Sequence, residues 1–264
     1  MRNGISISMA VVLFQDDTDS LDKLINNLFL ATSKFKYVTL FLINNSPEDI
    51  VLTSFLKQEA GKDKRIKLLL PKKNDGFGAG NNLVLSSIAS TYHFIINPDI
   101  SIPDDSQVPK IINYLENNLE IGLLSPLIKY PTGEVQPLLK KESTVFDIAL
   151  RFSGLPIFKK RQLNFVNLPD GYHAIHEAEN APGSFMVFRT SVFKEIHGFD
   201  EKFFLYMEDS DITKKVNQIS KAIFFPDAFV YHEWQRNNRK SLKGISIMLR
   251  SVFVYFNKWG WKLF

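Results

Sequence analysis

The stretch YHFIINPD, residues 92–99, decides the fold class of this chain. Its first five residues are mostly apolar and predict a strand, which Pro98 ends because proline lacks the backbone N–H that a sheet requires. Asp99 therefore follows the carboxyl end of a strand, with Asn97 two positions before it. Ligands of open α/β sheets bind outside such ends, so this position favours a functional role.

Apolar runs and helical patterns alternate on the amino-terminal side of this stretch. Such alternation is typical of a parallel sheet, and we predict an α/β fold with a mostly parallel central sheet flanked by helices. Asp19 or Ser20 is expected to cap the first helix. The predicted strands are 5–14, 37–43 and 66–70, and the predicted helices are 20–30, 48–60 and 77–89.

The carboxyl-terminal side is less regular between residues 123 and 170, where Pro131-Thr132-Gly133 predicts a hairpin turn. Residues 240–264 predict an amphipathic helix. We therefore divide the chain into an α/β domain, 1–236, and a basic, aromatic helical tail, 237–264. The other predicted elements are strands at 184–189, 222–225 and 229–232, and a helix at 206–218.

Composition narrows the function classes. A chain of 264 residues that is 45% hydrophobic can bury a sizeable core. The absence of cysteine excludes disulfides, thiolate metal sites and a cysteine nucleophile. With no apolar run of about 18 residues and no export signal, we expect a cytoplasmic protein. The net charge of +4 is concentrated near the end, which indicates an anionic surface or ligand.

The glycine cluster at 76–80 follows a predicted strand and opens a predicted helix. Its spacing differs from a dinucleotide-binding fingerprint, because the third glycine comes one position early. A backbone turn before a helix could face phosphates or a sugar. A tight turn with close packing fits the spacing equally well.

Two strand ends offer metal ligands. Mg²⁺ and Mn²⁺ favour one or two carboxylates together with substrate phosphate oxygens. Asp99 and Asn97 could supply such oxygen atoms, although Asn-Pro-Asp is also an ordinary turn sequence. His232 ends a later predicted strand, where it could be a further ligand or a structural residue.

Three carboxylates open the predicted helix at 206–218. Glu208 and Asp211 share one face of it, Asp209 points elsewhere, and all three gain from the positive end of the helix dipole. Capping accounts for some of them. The aromatic approach at 203–207 would bring them to the edge of a buried site, where a carboxylate can become a general base.

Taken in order, four motifs resemble the family 2 glycosyltransferases of GT-A fold, especially the bacterial rhamnosyltransferase-like branch that builds O-antigen and other surface polysaccharides. The resemblance covers roughly residues 5–236. The four motifs are the segments 74–82, 96–99, 182–186 and 198–211.

The resemblance implies an inverting transferase that uses a nucleotide-sugar donor and a divalent cation, Mg²⁺ or Mn²⁺. Asp99, assisted by Asn97, would bind the metal, and His232 would complete the metal site. Asp209 would be the base that takes the proton from the acceptor hydroxyl. The donor side would include Asn44, Asp75, Gly76, Asn81 and Arg236, and the acceptor side Gly183, Ser184, Glu208 and Asp211.

The branch implies transfer of L-rhamnose from dTDP-rhamnose to a polyprenyl-diphosphate-linked glycan in O-antigen or lipopolysaccharide biosynthesis. Galactofuranose or another hexose is the alternative donor. Asn44 stands where the family commonly has aspartate, and Asn97 replaces the first acid of the metal motif. These departures leave a non-catalytic nucleotide-sugar or glycan-binding module open, and a nucleotidyltransferase is a third class.

The tail carries Trp259 and Trp261 between Lys258 and Lys262. This pattern predicts peripheral docking on the inner face of the plasma membrane, where a lipid-linked acceptor would reside. Packing on the domain and self-association are the alternatives, so an oligomer is possible. No nucleic-acid partner is expected.

Overall fold

A computed structural model describes residues 4–233 and 241–264. Its amino-terminal half is built of alternating strands and helices around parallel strands in the order β3-β2-β1-β4. The prediction of a mostly parallel sheet flanked by helices is therefore confirmed. The strands are β1 (Ser6–Leu13), β2 (Tyr37–Asn44), β3 (Ile66–Leu69) and β4 (Tyr92–Ile96), and the helices are α1 (Thr18–Ala31), α2 (Ile50–Lys62) and α3 (Phe77–Asn82).

The first helix is capped by Asp17, whose Oδ2 accepts a hydrogen bond from the backbone N–H of Ser20 at 2.9 Å. The prediction of Asp19 or Ser20 as the cap was wrong, because the helix begins one residue earlier than Asp19 and the capping residue must precede it. Helix α3 is shorter than predicted and ends at Asn82.

The second half extends the same sheet. Strand β8 is antiparallel to both β4 and β6, and β9 is parallel to β6, so β1, β4, β6 and β9 all run in one direction. The two short strands predicted near the end are one strand, β9, with an irregular register after Pro126 of β6. The new elements are β5 (Ile100–Ser101), α4 (Gln107–Asn117), β6 (Ile121–Lys129), β7 (His176–Glu177), β8 (Phe185–Arg189) and β9 (Lys221–His232).

The remaining helices lie in the second half of the chain. They are α5 (Val145–Ser153), α6 (Lys159–Phe165), α7 (Thr190–Glu195), α8 (Glu208–Asn217) and α9 (Leu242–Trp259). The predicted turn at 131–133 is present, with the N–H of Gly133 donating to the carbonyl of Tyr130 at 2.8 Å.

Apolar side chains cover both faces of the sheet, and a third cluster joins α9 to the rest of the chain. In this third cluster Tyr255 and Phe256 of α9 are buried with Phe203. The predicted helix at the end of the chain is therefore confirmed, while the domain boundary at 236 stays a prediction. Within the described ranges, no helix combines the length and hydropathy needed to cross a bilayer.

Candidate active site

One edge of the sheet gathers several of the predicted site residues. The carboxyl ends of parallel strands meet at the same edge, so the ends of β1, β4 and β9 lie together. The antiparallel strand β8 begins at this edge, where the backbone N–H of Asn97 donates to the carbonyl of Ser184 at 2.9 Å. Asp99, Ser184 and His232 therefore belong to one site, although they are far apart in sequence.

Asp99 and His232 form the polar centre of this edge. His232 Nε2 lies 3.3 Å from Asp99 Oδ1, and both side chains are largely buried. Apart from this ion-pair contact, Asp99 Oδ1 has no hydrogen-bond partner, and it is enclosed within the protein. Buried carboxylate oxygens normally have donors or cations around them, so this atom is a candidate metal ligand.

Gln136 fixes the orientation of the His232 ring. Its Nε2 donates to the backbone carbonyl of His232 at 2.6 Å, so its Oε1 is the atom that faces His232 Nδ1 at 2.9 Å. Because Oε1 can only accept, Nδ1 carries a proton, and Nε2 is the ring nitrogen that faces Asp99. Metal-ligating histidines are commonly held in this way by a hydrogen bond on the other ring nitrogen.

Asp16 is a site residue that the sequence reasoning missed. Its pKa is raised to about 6, mainly by burial and to a smaller extent by the negative charge of Asp99, while the hydrogen bond from the backbone N–H of Phe14 lowers it. Asp16 and Asp99 each stand three residues beyond the end of a parallel strand, β1 and β4. The strand-end argument that selected Asp99 could have selected Asp16 as well.

Asp209 lies in the first turn of α8, behind a strained backbone. Tyr206 and Met207, which precede this helix, have φ values of 71° and 66°. Such left-handed conformations are unfavourable for side chains of this size, and they cluster at functional sites. Asp209 Oδ1 accepts from the N–H of Ser210 at 2.8 Å, and Oδ2 lies 3.9 Å from Lys140 Nζ.

Glu208 and Asp211 are buried on either side of Asp209 and have different surroundings. Burial raises the pKa of Glu208 well above its usual range, and the negative charge of Asp209 adds to this effect. Asp211 instead receives hydrogen bonds from Trp259 Nε1 at 2.8 Å and Lys258 Nζ at 2.7 Å. The neutral form is favoured at Glu208, while Asp211 anchors the last helix.

Two glycines allow close approaches around Asp209. A Cβ at Gly183 would lie 3.3 Å from the Cβ of Asp209, and Gly183 directly precedes the Ser184 that binds Asn97. Gly76 has a φ of 102°, and a Cβ there would lie 2.2 Å from the carbonyl oxygen of Phe204. The glycine turn and the approach to α8 are therefore in backbone contact, and the two acidic motifs are linked through the start of β8.

The predicted donor-side residues have varied surroundings. The Asn44 side chain is fully buried, and its amide bonds Thr53 Oγ1 and the N–H of Ser46, each at 2.9 Å. Asp75 is exposed and pairs with Lys73 at 2.8 Å. Asn81 is buried and its Oδ1 has no hydrogen-bond partner.

Asn45, the neighbour of Asn44, donates to the carbonyl of Gly76 at 3.1 Å and so contacts the glycine turn. Arg236, also predicted on the donor side, lies outside the described residues.

A cavity of about 640 Å³ opens beside Asp209, and Lys140 and Glu208 share its wall. Most of the remaining lining is apolar and comes from α5, α6 and α9. A polar end with an ionisable carboxylate and a largely apolar remainder, which also includes Arg151 and Gln162, suits an amphiphilic ligand. The apolar lining consists of Ile148, Phe152, Phe165, Met207, Ile245, Met248 and Val252.

Within the residues that the structure describes, no group of three or more His, Asp or Glu side chains forms a complete metal site. As metal ligands, Asp99 and His232 would leave the other coordination positions to a substrate or water. Mg²⁺ commonly binds proteins in this way, through few side chains and several phosphate or water oxygens.

No protein-family model matches the chain. It is similar to an N-acetylglucosaminyl-diphospho-decaprenol L-rhamnosyltransferase of Mycobacterium tuberculosis, with 22% identity over 257 residues that cover 89% of this chain and 79% of the relative. It is also similar to the rhamnosyltransferase WbbL of Escherichia coli, with 21% identity over 259 residues that cover 93% of this chain and 90% of the relative.

Solved structures share the fold. A mannosyltransferase from Pyrobaculum calidifontis, in complex with GDP-Man and Mn²⁺, matches 88% of this chain with a TM-score of 0.62 and 13% identity. TarS residues 1–349 of S. aureus, in complex with UDP, matches 96% with a TM-score of 0.60 and 13% identity. The chain spans 57% and 66% of those two chains, and at this identity the similarity concerns the fold alone.

Proposed function

We propose that this chain, a glycosyltransferase of GT-A fold with distant homology to bacterial rhamnosyltransferases, transfers L-rhamnose from dTDP-rhamnose. The acceptor is a hydroxyl of a polyprenyl-diphosphate-linked glycan, and the transfer inverts the configuration of the anomeric carbon. The choice of sugar and acceptor is supported by the names of the two rhamnosyltransferase relatives. The reaction geometry is supported by the site residues.

The observation that carries the proposal is the connection between Asp99 and Asp209. Asp99 lies at the edge of the sheet beside His232, and Asp209 lies at the wall of the cavity. Gly183 and Ser184 join them, one in contact with Asp209 and the other bonded to Asn97. A donor diphosphate at the first position and an acceptor hydroxyl at the second would meet across the start of β8.

The donor side fits a divalent cation, Mg²⁺ or Mn²⁺. Asp99 Oδ1 and His232 Nε2 would hold it, because one is a buried oxygen without a hydrogen bond and the other is a ring nitrogen whose direction Gln136 fixes. When bound, the cation would stabilise the negative charge of the departing diphosphate. Asn97, two residues from Asp99, adds a neutral oxygen at the same strand end.

Asp209 would accept the proton of the acceptor hydroxyl as that oxygen attacks the anomeric carbon. Two carboxylates with different surroundings allow this division of roles. The rise in the pKa of Glu208 favours its neutral form, so Glu208 leaves the negative charge with its neighbour. Lys140 Nζ lies 3.9 Å from Asp209 Oδ2 and places a positive charge beside this carboxylate.

A transfer assay tests the proposal with dTDP-rhamnose and UDP-galactofuranose as separate donors and a water-soluble analogue of the lipid-linked glycan as acceptor. We expect rhamnose transfer that needs Mg²⁺ or Mn²⁺, with a product of inverted configuration by NMR. Asp209→Asn should lower kcat by about 10²- to 10⁴-fold, the usual contribution of a general base. Asp227→Asn, at an exposed position of β9, is the matched control.

Each outcome bears on one element of the proposal. Transfer from UDP-galactofuranose alone would refute the rhamnose donor but not the enzyme class. Undiminished transfer by Asp209→Asn would refute the assigned base. Binding of donor without transfer to any acceptor would favour the non-catalytic module.

A further inference from the structure

The segment between α5 and α6 is an exposed apolar surface that the proposed reaction does not use. Every residue from 151 to 160 is exposed. Ile157 is 47% exposed and Phe158 59%, and Phe158 has a left-handed φ of 51° that turns the chain at this point. We call residues 153–160 the α5–α6 tip.

The α5–α6 tip continues into the end of the chain. The ring of Phe146 lies 5.4 Å from that of Phe158 and 5.3 Å from that of Phe264, so the three form one aromatic group. Helix α9 adds exposed apolar side chains at Leu249 and Phe253. The ring contacts of Phe146 with Phe158 and Phe264 make the tip's apolar surface continuous, and such a surface marks an interaction site rather than scattered surface residues.

The charge of this surface is of one sign. Neither 148–169 nor 241–264 contains an Asp or Glu. Lys159 and Lys160 are exposed beside the tip, and Lys243 and Arg250 are exposed on α9. Exposed apolar residues flanked by basic residues are typical of segments that lie on anionic lipid surfaces.

The lysines near the end of the tail have other partners. Lys258 pairs with Asp200 and Asp211, and Lys262 pairs with Glu142. Membrane docking through Lys258 and Lys262, as the sequence suggested, would compete with these ion pairs. Lys159 and Lys160 lie in a segment, 148–169, that contains no acidic residue, so no ion pair within that segment would compete with docking through them.

The cavity that contains Asp209 opens between the same elements. Phe152 of α5 and Met248 and Val252 of α9 form part of its lining. A lipid surface in contact with α5, α6 and α9 would therefore lie next to the cavity. An acceptor embedded in that lipid surface would have a short, largely apolar path to Asp209.

We propose that the α5–α6 tip, together with the exposed side of α9, docks on an anionic phospholipid surface and presents the Asp209 cavity to acceptors held in it. This inference rests on the proposed function for the identity of the acceptor. A second copy of the chain fits this surface less well, because a symmetric contact places the same patch on both partners and would bring basic residues together.

Vesicle co-sedimentation with the full chain tests the inference, using phosphatidylglycerol–phosphatidylcholine vesicles and pure phosphatidylcholine vesicles. We expect binding to the anionic vesicles that weakens with salt and is at least about tenfold weaker on neutral ones. The double variant Ile157→Ser/Phe158→Ser should weaken binding by about tenfold or more, because it removes apolar area that would enter the interface. Lys159→Gln/Lys160→Gln should weaken it by a similar factor.

The matched control is Ile50→Ser/Val51→Ser, which removes two apolar side chains that are 82% and 73% exposed at the start of α2. Its vesicle binding should equal that of the wild type. Circular dichroism and the transfer assay with a water-soluble acceptor check that each variant is folded and active. The tip variants should keep this activity and lose activity towards an acceptor embedded in vesicles.

The inference would be overturned if the wild type did not bind anionic vesicles, or if the tip variants bound them as well as the wild type. It would also be overturned if light scattering showed self-association that the tip variants abolish while vesicle binding is unchanged. Failure of the proposed function is distinguishable from these. It would appear as a lack of transfer to the water-soluble acceptor by a protein that still binds vesicles.

Discussion

Replacing Gln136 by leucine tests whether Gln136 positions His232 for metal binding. Gln136→Leu removes the hydrogen bond to His232 Nδ1 at 2.9 Å and the one to the His232 carbonyl at 2.6 Å. Both groups lie in a buried environment, since Gln136 is 1% exposed and His232 4%. Each buried polar group without a partner costs about 1–3 kcal/mol, so for two groups we expect a loss of roughly 2–6 kcal/mol in the free energy of unfolding.

The same change should weaken Mn²⁺ binding by about 10- to 100-fold, because the ring of His232 loses the partner that fixes its tautomer and orientation. Calorimetric titration with Mn²⁺ in the presence of dTDP measures the affinity, and urea unfolding measures the stability.

Gln107→Leu is the matched control. Gln107 is also buried, and its amide bonds Asp104 and the N–H of Phe229 at 2.9 and 3.1 Å. It should lose stability similarly and keep the Mn²⁺ affinity. Wild-type affinity in Gln136→Leu, or an equal loss in both variants, would refute the reasoning.

Two further predictions concern stability. Gly76→Ala should lower the midpoint of thermal unfolding more than Gly133→Ala. Both glycines have positive φ, but only at Gly76 would a Cβ lie 2.2 Å from a backbone oxygen. Equal shifts of the midpoint would contradict this contact. Glu208 has a pKa raised by burial, so the folded state holds a proton that the unfolded state releases above its ordinary value of 4.5. Its contribution to stability is therefore full below that pH and is lost as pH rises towards the folded pKa. Glu208→Gln should make the fall in unfolding free energy between about pH 5 and pH 7 less steep, by up to about 1.4 kcal/mol per pH unit, in urea titrations at each pH; an unchanged slope would contradict the raised pKa.

Local patterns predicted the elements of the first half well, because its helices and strands alternate and each is bounded by polar residues. Strand β6 was missed because residues 121–129 are nearly continuously apolar and contain Pro126, which breaks the strand pattern. The structure places this proline at an irregular point of the register with β9. Bulges are among the few places where a strand accepts proline, and tertiary pairing decides them.

In the candidate site, too, local patterns predicted some residues and missed one that depends on tertiary pairing. Asp99, His232 and Asp209 stood out because they follow strands or begin a helix. Gln136 carries no such signal, because it lies just beyond a hairpin turn and gains its position only when β6 and β9 pair. Its contact with His232 spans 96 residues of sequence, which local patterns do not describe.

Lys258 and Trp259 both bind Asp211, and these contacts make the end of the chain part of the structure that supports the site. Asp211 is fully buried one helical turn or less from Asp209, and removing a partner from a buried charge costs about 3–5 kcal/mol. A truncation before residue 241, made to test for a membrane anchor, would therefore act as a mutation beside Asp209, the proposed base. Lost activity in such a truncation would say nothing about lipids, and point substitutions on exposed positions are the informative alternative.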